Sequence, residues 1–164
     1  MPITPPEASG RLRLRRSARV LLFDRGGDVL LIRFVAELEG EPFVFWVTPG
    51  GEVEAGESDL QAAEREMFEE LGVRLILSGP VHQESGGTYT HLGETVRNFD
   101  VFFRAVCERD APRLQGVTAE EIALMRGIRW WSLAELESTA ERIFPAALVQ
   151  IVRGLRSEGA DVPG

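Results

Sequence analysis

The chain has 164 residues, 44% of them apolar, which suits one domain with a sizeable core. No apolar run approaches the roughly 20 residues that span a bilayer, so no membrane partner is expected. The formal net charge is -8 and all 18 basic residues are Arg, which excludes Schiff-base and P-loop lysine chemistry and argues against nucleic acid as a partner.

In chain order, residues 1–14 are expected to form a flexible tail, with Pro2, Pro5, Pro6 and Gly10 breaking any period. No apolar signal segment stands there, and Cys107 is the only cysteine, so a reducing cytoplasmic compartment is expected. Arg11, Arg13, Arg15 and Arg16 read as a solvated strand edge. Val20–Phe23 and Val29–Phe34 flank the turn Arg25-Gly26-Gly27-Asp28 and predict a hairpin. Phe43–Val47 is a third strand, stopped at Pro49-Gly50-Gly51. From Ser58 the period becomes helical, with Leu60, Ala63, Met67 and Leu71 as the core stripe. Ser58 with Gln61 is a capping box, and Gly72 is the stop.

Arg74–Leu77 and Val96–Val106 are the next strand candidates, with Gly79-Pro80 ending the first and Gly86-Gly87 marking a turn. Asp110–Gly116 reads as a loop and Ile128–Trp131 as a strand. Ser132 with Glu135 opens a short helix, and Ala146–Arg156 is a final helix with Leu148, Ile151, Val152 and Leu155 on one face. One domain is expected over residues 15–158, followed by a tail at 159–164.

The chemistry concentrates in Gly51–Val73. Glu66, Glu69 and Glu70 stand at i, i+3 and i+4, on one face of a helix, where like charges repel. A hard divalent cation, Mg²⁺ or Mn²⁺, removes that repulsion, because carboxylate oxygens suit it and not Zn²⁺. The stripe lies about 120° round the helix from the apolar one, so it is expected to stay open while its neighbour packs. The competing account of three helical Glu residues is an ordinary solvated face.

The spacing of the whole segment resembles the Nudix box, G-x5-E-x7-R-E-U-x-E-E-x-G-U with U bulky and apolar. Gly51, Glu57, Arg65, Glu66, Met67, Glu69, Glu70, Gly72 and Val73 occupy every defined position. A chance match in such a chain is on the order of one in a hundred thousand. The resemblance implies an α/β fold, an α/β/α sandwich around a central mixed sheet. It implies a Mg²⁺-dependent hydrolase, with Mn²⁺ as a substitute, that cleaves a pyrophosphate linkage in a nucleoside diphosphate derivative. By the same resemblance Glu66, Glu69 and Glu70 hold metal together with the Gly50 carbonyl, and Glu57 pairs with Arg65, which orients the carboxylates.

The general base varies among such proteins. Glu120 and Glu121 precede Trp130-Trp131, and Glu121 is the preferred candidate; its competing role is in a capping box with Thr118. Arg33 is a candidate substrate contact by similarity to MutT-like relatives. Tyr89 stands near where relatives that cleave diadenosine polyphosphates carry a Tyr, which could stack on a base. Thr48-Pro49-Gly50-Gly51 is similar to the nucleoside-triphosphate and MutT-like groups. A small nucleotide is therefore the expected partner, with a homodimer left open. The alternatives are a non-catalytic nucleotide-sensing module, which commonly lacks box carboxylates, and isopentenyl diphosphate isomerase, which uses a catalytic Cys. Trp46 could stack on a base but is expected to pack in the core, Trp130 and Trp131 are expected to split between core and edge, and His82, His91 and Cys107 are expected to be non-catalytic.

Overall fold

A computed structural model of the chain describes residues 12–91, 93–115, 119 and 125–158. Eight strands and three helices follow one another in it: β1 (Leu12–Phe23), β2 (Val29–Leu38), β3 (Glu41–Val47), β4 (Gly50–Glu52), α1 (Asp59–Leu71), β5 (Ser78–His91), β6 (Glu94–Val106), β7 (Met125–Trp131), α2 (Leu133–Ser138), β8 (Arg142–Phe144) and α3 (Leu148–Glu158). Glu120, Glu121 and the C-terminal tail lie outside the described residues, as do residues 1–11.

The sheet is mixed. β6 lies parallel to β1 along its whole length, from Leu12 opposite Thr95 to Phe23 opposite Val106. Strand β1 therefore starts at Leu12, inside the tail expected over residues 1–14, because β6 offers those residues a complete ladder. β5 closes that edge antiparallel to β6. On the other side β2 pairs antiparallel with β3 and β7, and β8 joins β3 in parallel.

The predicted β1–β2 hairpin holds only at its turn, where Phe23 faces Val29. Beyond that pair the strands part, since β4 occupies the edge of β1 at Ser17–Arg19. This divergence curls the sheet. Arg74–Leu77 is not a strand, and Ile76 is exposed. Neither Gly79-Pro80 nor Gly86-Gly87 ends β5. Both fall at register shifts within it, where two extra residues are absorbed between Ser78 and His82 and one between Ser85 and Thr88.

Alternate residues of the central strands feed two cores. Ala18, Val20 and Leu22 of β1, with Leu30 and Ile32 of β2, pack on the α1 side. Leu21 and Phe23, with Val29 and Leu31, pack on the other side, against Leu136 of α2 and Leu148, Ile151 and Val152 of α3. A strand buried on both faces reads as a continuous apolar run, as Val20–Phe23 of β1 does. The result is the expected α/β fold with helices on both faces of a mixed sheet.

Both caps of α1 are as read: Ser58 and Gln61 form the reciprocal capping box, and Gly72 ends the helix at φ 68°. The buried stripe differs from the expected one. Leu60 is 40% exposed, and Ala62, Ala63, Met67 and Leu71 do the packing. Ser132 and Glu135 cap α2 in the same reciprocal way. Trp46 and Trp131 are core residues packed edge to face, and Cys107 is buried with its thiol pKa pushed up to about 11.

Candidate active site

Two adjacent rows of α1 meet the sheet. One carries Ala63, Met67 and Leu71, the other Ala62, Glu66 and Glu70, each at i, i+4 spacing. Glu66 and Glu70 are therefore buried at 9% and 5% exposure, not on an open face as expected. Burying a carboxylate is costly unless it is paired, and β4 and Arg65 supply partners. The Gly50 amide donates to Glu70 Oε1 at 2.8 Å. Gly51 lies so close to Glu66 that a Cβ there would stand 2.6 Å from its Cδ. Gly50 adopts φ 139°, and a Cβ on it would come within 2.7 Å of the Arg19 Cα. Both glycines let backbone approach where a side chain cannot fit.

Arg65 organises the carboxylates. It donates through Nε and Nη2 to both oxygens of Glu57 at 2.7 and 3.0 Å. Its Nη1 donates to Glu66 Oε1 at 2.9 Å and to Glu69 Oε2 at 3.0 Å, and Nη2 also reaches the Glu52 carbonyl at 3.0 Å. These bonds hold the guanidinium firmly charged. They also keep the Glu57 carboxyl below its usual range, helped by the Glu54 amide. The pairing of Glu57 with Arg65 is thus present, and it joins the loop at 52–57 to the helix.

Glu66, Glu69, Glu70 and the Gly50 carbonyl are all oxygen donors, the chemistry a hard divalent cation takes. Among the described residues no three acidic, His or Cys side chains are drawn together around a metal position. Arg65 bridges Glu66 and Glu69 there instead. A carboxylate has about four lone-pair positions, so pairing with Arg65 and ligation of a cation are compatible. The donors fit such an ion.

Next to Arg19 and Thr48 opens a cavity of about 600 Å³. Its floor comes from alternate residues of two neighbouring strands, Arg15 and Arg19 of β1 with Asn98 and Asp100 of β6. Opposite lie Phe43 and Phe45 of β3, with Phe144 edge-on to Phe45. Gly86 and Gly87 of the β5 bulge form part of the rim. Thr48, on the wall next to Gly50, is fully buried and its Oγ1 has no hydrogen-bond partner. Desolvation pushes the Asp100 carboxyl up, while Arg19 draws it down.

The cavity was not legible in the sequence. The only local hints are Arg19, which interrupts an apolar run, and the alternation of Asn98 and Asp100. Arg15 is a cavity residue as well as an edge residue, while Arg13 and Arg16 pair with Glu52 and Asp59. Arg33 lies on β2, opposite Trp46 and Gly127, and is not among the residues that line the cavity. Tyr89 lies on β5 opposite Val96, a few residues from the rim, and its side chain is outside the described residues. Glu121 is outside them altogether.

A curled mixed sheet between helices, with a glutamate row and an arginine clamp on one helix, defines an α/β sandwich with its charged cluster on α1. A NUDIX domain family model matches residues 13–150. An uncharacterised Nudix hydrolase of Listeria monocytogenes is 32% identical over 125 residues, 73% of this chain and 71% of that protein. The chain belongs to the Nudix hydrolase family.

Solved structures agree on the fold. A MutT protein from Methanosarcina mazei superposes with a TM-score of 0.66 at 20% identity, covering 92% of this chain and 98% of that one. The NUDIX domain of Shewanella oneidensis NrtR, solved with ADP-ribose, gives 0.63 at 18% identity, with 92% of each chain covered. An Ap4A hydrolase from Caenorhabditis elegans gives 0.60 at 19% identity, covering 90% of this chain and 99% of that one.

Proposed function

We propose that this Nudix hydrolase cleaves a pyrophosphate linkage in a nucleoside diphosphate derivative, a nucleoside triphosphate or a dinucleoside polyphosphate, and that it requires Mg²⁺ or Mn²⁺. The observation that carries this reading is the pair of buried carboxylates Glu66 and Glu70, the first clamped by Arg65 and the second held by the Gly50 amide. Glu66, Glu69, Glu70 and the Gly50 carbonyl would hold the cation. Bound there, it would neutralise charge developing on the phosphoryl oxygens and lower the pKa of a coordinated water.

The residues of the chain do the rest. Arg65 holds Glu66 and Glu69 at fixed spacing and ties them to Glu57. Phe43 and Phe45 offer ring faces for a base to stack on, and Asn98, Asp100 and Thr48 offer polar atoms to its edges. Arg15 gives that cavity positive charge for an anionic linkage. Glu121 stays the preferred candidate for the general base, and Arg33 and Tyr89 stay candidate substrate contacts.

The test is phosphate or pyrophosphate release from a panel of nucleoside triphosphates, diadenosine polyphosphates, ADP-ribose, NADH and coenzyme A. One substrate is expected to dominate, with turnover abolished by excess chelator and reduced more than about a hundredfold in Glu70→Gln. Full turnover in chelator, or in a folded Glu70→Gln, overturns the cation assignment. Nucleotide binding without turnover of any panel member points to a sensing module instead.

A further inference from the structure

Arg19 is the one charged residue in Ala18–Phe23, and burial disfavours its charged form. A residue so placed is expensive unless it is held. Its Nη1 donates to the Thr48 carbonyl at 3.1 Å and to the Gly50 carbonyl at 3.3 Å. Arg19 and Gly50 are also ladder partners between β1 and β4. Gly50 then donates its amide to Glu70 Oε1 at 2.8 Å. The guanidinium is drawn most by Asp100 and next by Glu70, with Glu66 adding attraction and Arg15 opposing. One fixed cation therefore stands between the cavity floor and the carboxylate row. A chain of hydrogen bonds runs from it, through Gly50, to Glu70.

We propose that Arg19 is a positioning residue of this site: it holds the Thr48–Gly50 segment so that the Gly50 amide meets Glu70 and the carboxylate row keeps its spacing. The inference rests on the reading of the row as the cation site. Its physical basis is that a planar guanidinium can share its donors between neighbouring carbonyls, which an ammonium on a flexible stem does less well.

Arg19→Gln keeps an amide donor and removes the charge; Arg19→Lys keeps the charge and loses the fork. Three readings decide. In cation-free protein, hydrogen exchange at the Gly50 amide is expected to rise about tenfold or more in Arg19→Gln, as its local opening becomes easier. Mn²⁺ affinity and kcat are each expected to fall by about 10–100-fold while KM changes little, the pattern of an outer partner of a metal ligand. Arg19→Lys is expected to recover part of both.

Unchanged exchange at Gly50 overturns the proposal. So does raised exchange with wild-type Mn²⁺ affinity and kcat, and so does a loss confined to KM. Should Arg19→Gln not fold, Arg19→Lys carries the same readings, with intermediate effects expected and wild-type values overturning the idea. Absence of any hydrolysis by the wild-type chain overturns the proposed function instead, and exchange at Gly50 still decides whether Arg19 positions that segment.

Discussion

At the scale of single residues, the site depends as much on what is missing as on what is charged. Gly51 leaves room for the Glu66 carboxylate, whose Cδ lies 2.6 Å from where a Cβ would stand. A methyl group there must push Glu66 aside, and Glu66 is clamped by Arg65. Gly51→Ala is therefore expected to lower kcat by about 10–100-fold at saturating Mg²⁺. Gly127→Ala is the control, since a methyl group there meets nothing within 4 Å. Equal kcat values in the two variants count against the packing argument. The glycine itself was legible, because the motif names its position. The atom it makes room for was not, because Glu66 reaches it only once α1 lies on β4.

At the scale of elements, α1 carries its own boundaries. Ser58 accepts from the Gln61 amide, Gln61 returns a bond to the Ser58 amide, and Gly72 closes the helix in the left-handed region. Removing either cap exposes helix-end groups that have no other partner within the helix. Ser58→Ala is expected to cost about 1 kcal/mol, and Gly72→Ala about 1–2 kcal/mol. Urea unfolding curves measure both, and a loss below a few tenths in either variant removes that cap from the account. Capping is local chemistry, so these limits were readable from sequence. The strand limits were not. Gly86-Gly87 carries the same local signal whether it makes a turn or a bulge, and only the pairing of β5 with β6 decides between them.

At the scale of the whole molecule, two ion pairs bind distant segments and set the acid limit. Arg16 of β1 makes a two-bond contact with Asp59 at the start of α1, both bonds at 2.6 Å. Arg65 makes another with Glu57. Both carboxyls are held below their ordinary values of 3.8 and 4.5. A depressed carboxyl adds stability that is present above its unfolded pKa and lost as pH falls through the folded one. Stability is thus expected to drop as pH falls below about 4.5 and to keep falling below 3.8. Asp100 acts with the opposite sign, because its raised pKa makes its ionised form a cost that protonation relieves. Arg16→Met is expected to flatten the acid limb in urea unfolding from neutral pH to about pH 3. An unchanged slope removes Asp59 as a driver.

Periodicity and spacing along the chain were enough to locate α1, its caps and the full carboxylate row, and the resemblance of the motif implied the Glu57–Arg65 pair. All of these lie within Gly51–Val73, where a helix fixes which residues share a face. Folding decided the rest. Glu66 and Glu70 are buried because β4 and the Gly50–Gly51 backbone close over them. The cavity exists because β1, β3 and β6, far apart in sequence, turn alternate residues toward one space. A strand buried on both faces carries no alternation to say which residue faces which way. Arg19 and Asp100 become neighbours only through the parallel register of β1 and β6, a long-range pairing on which no local pattern bears.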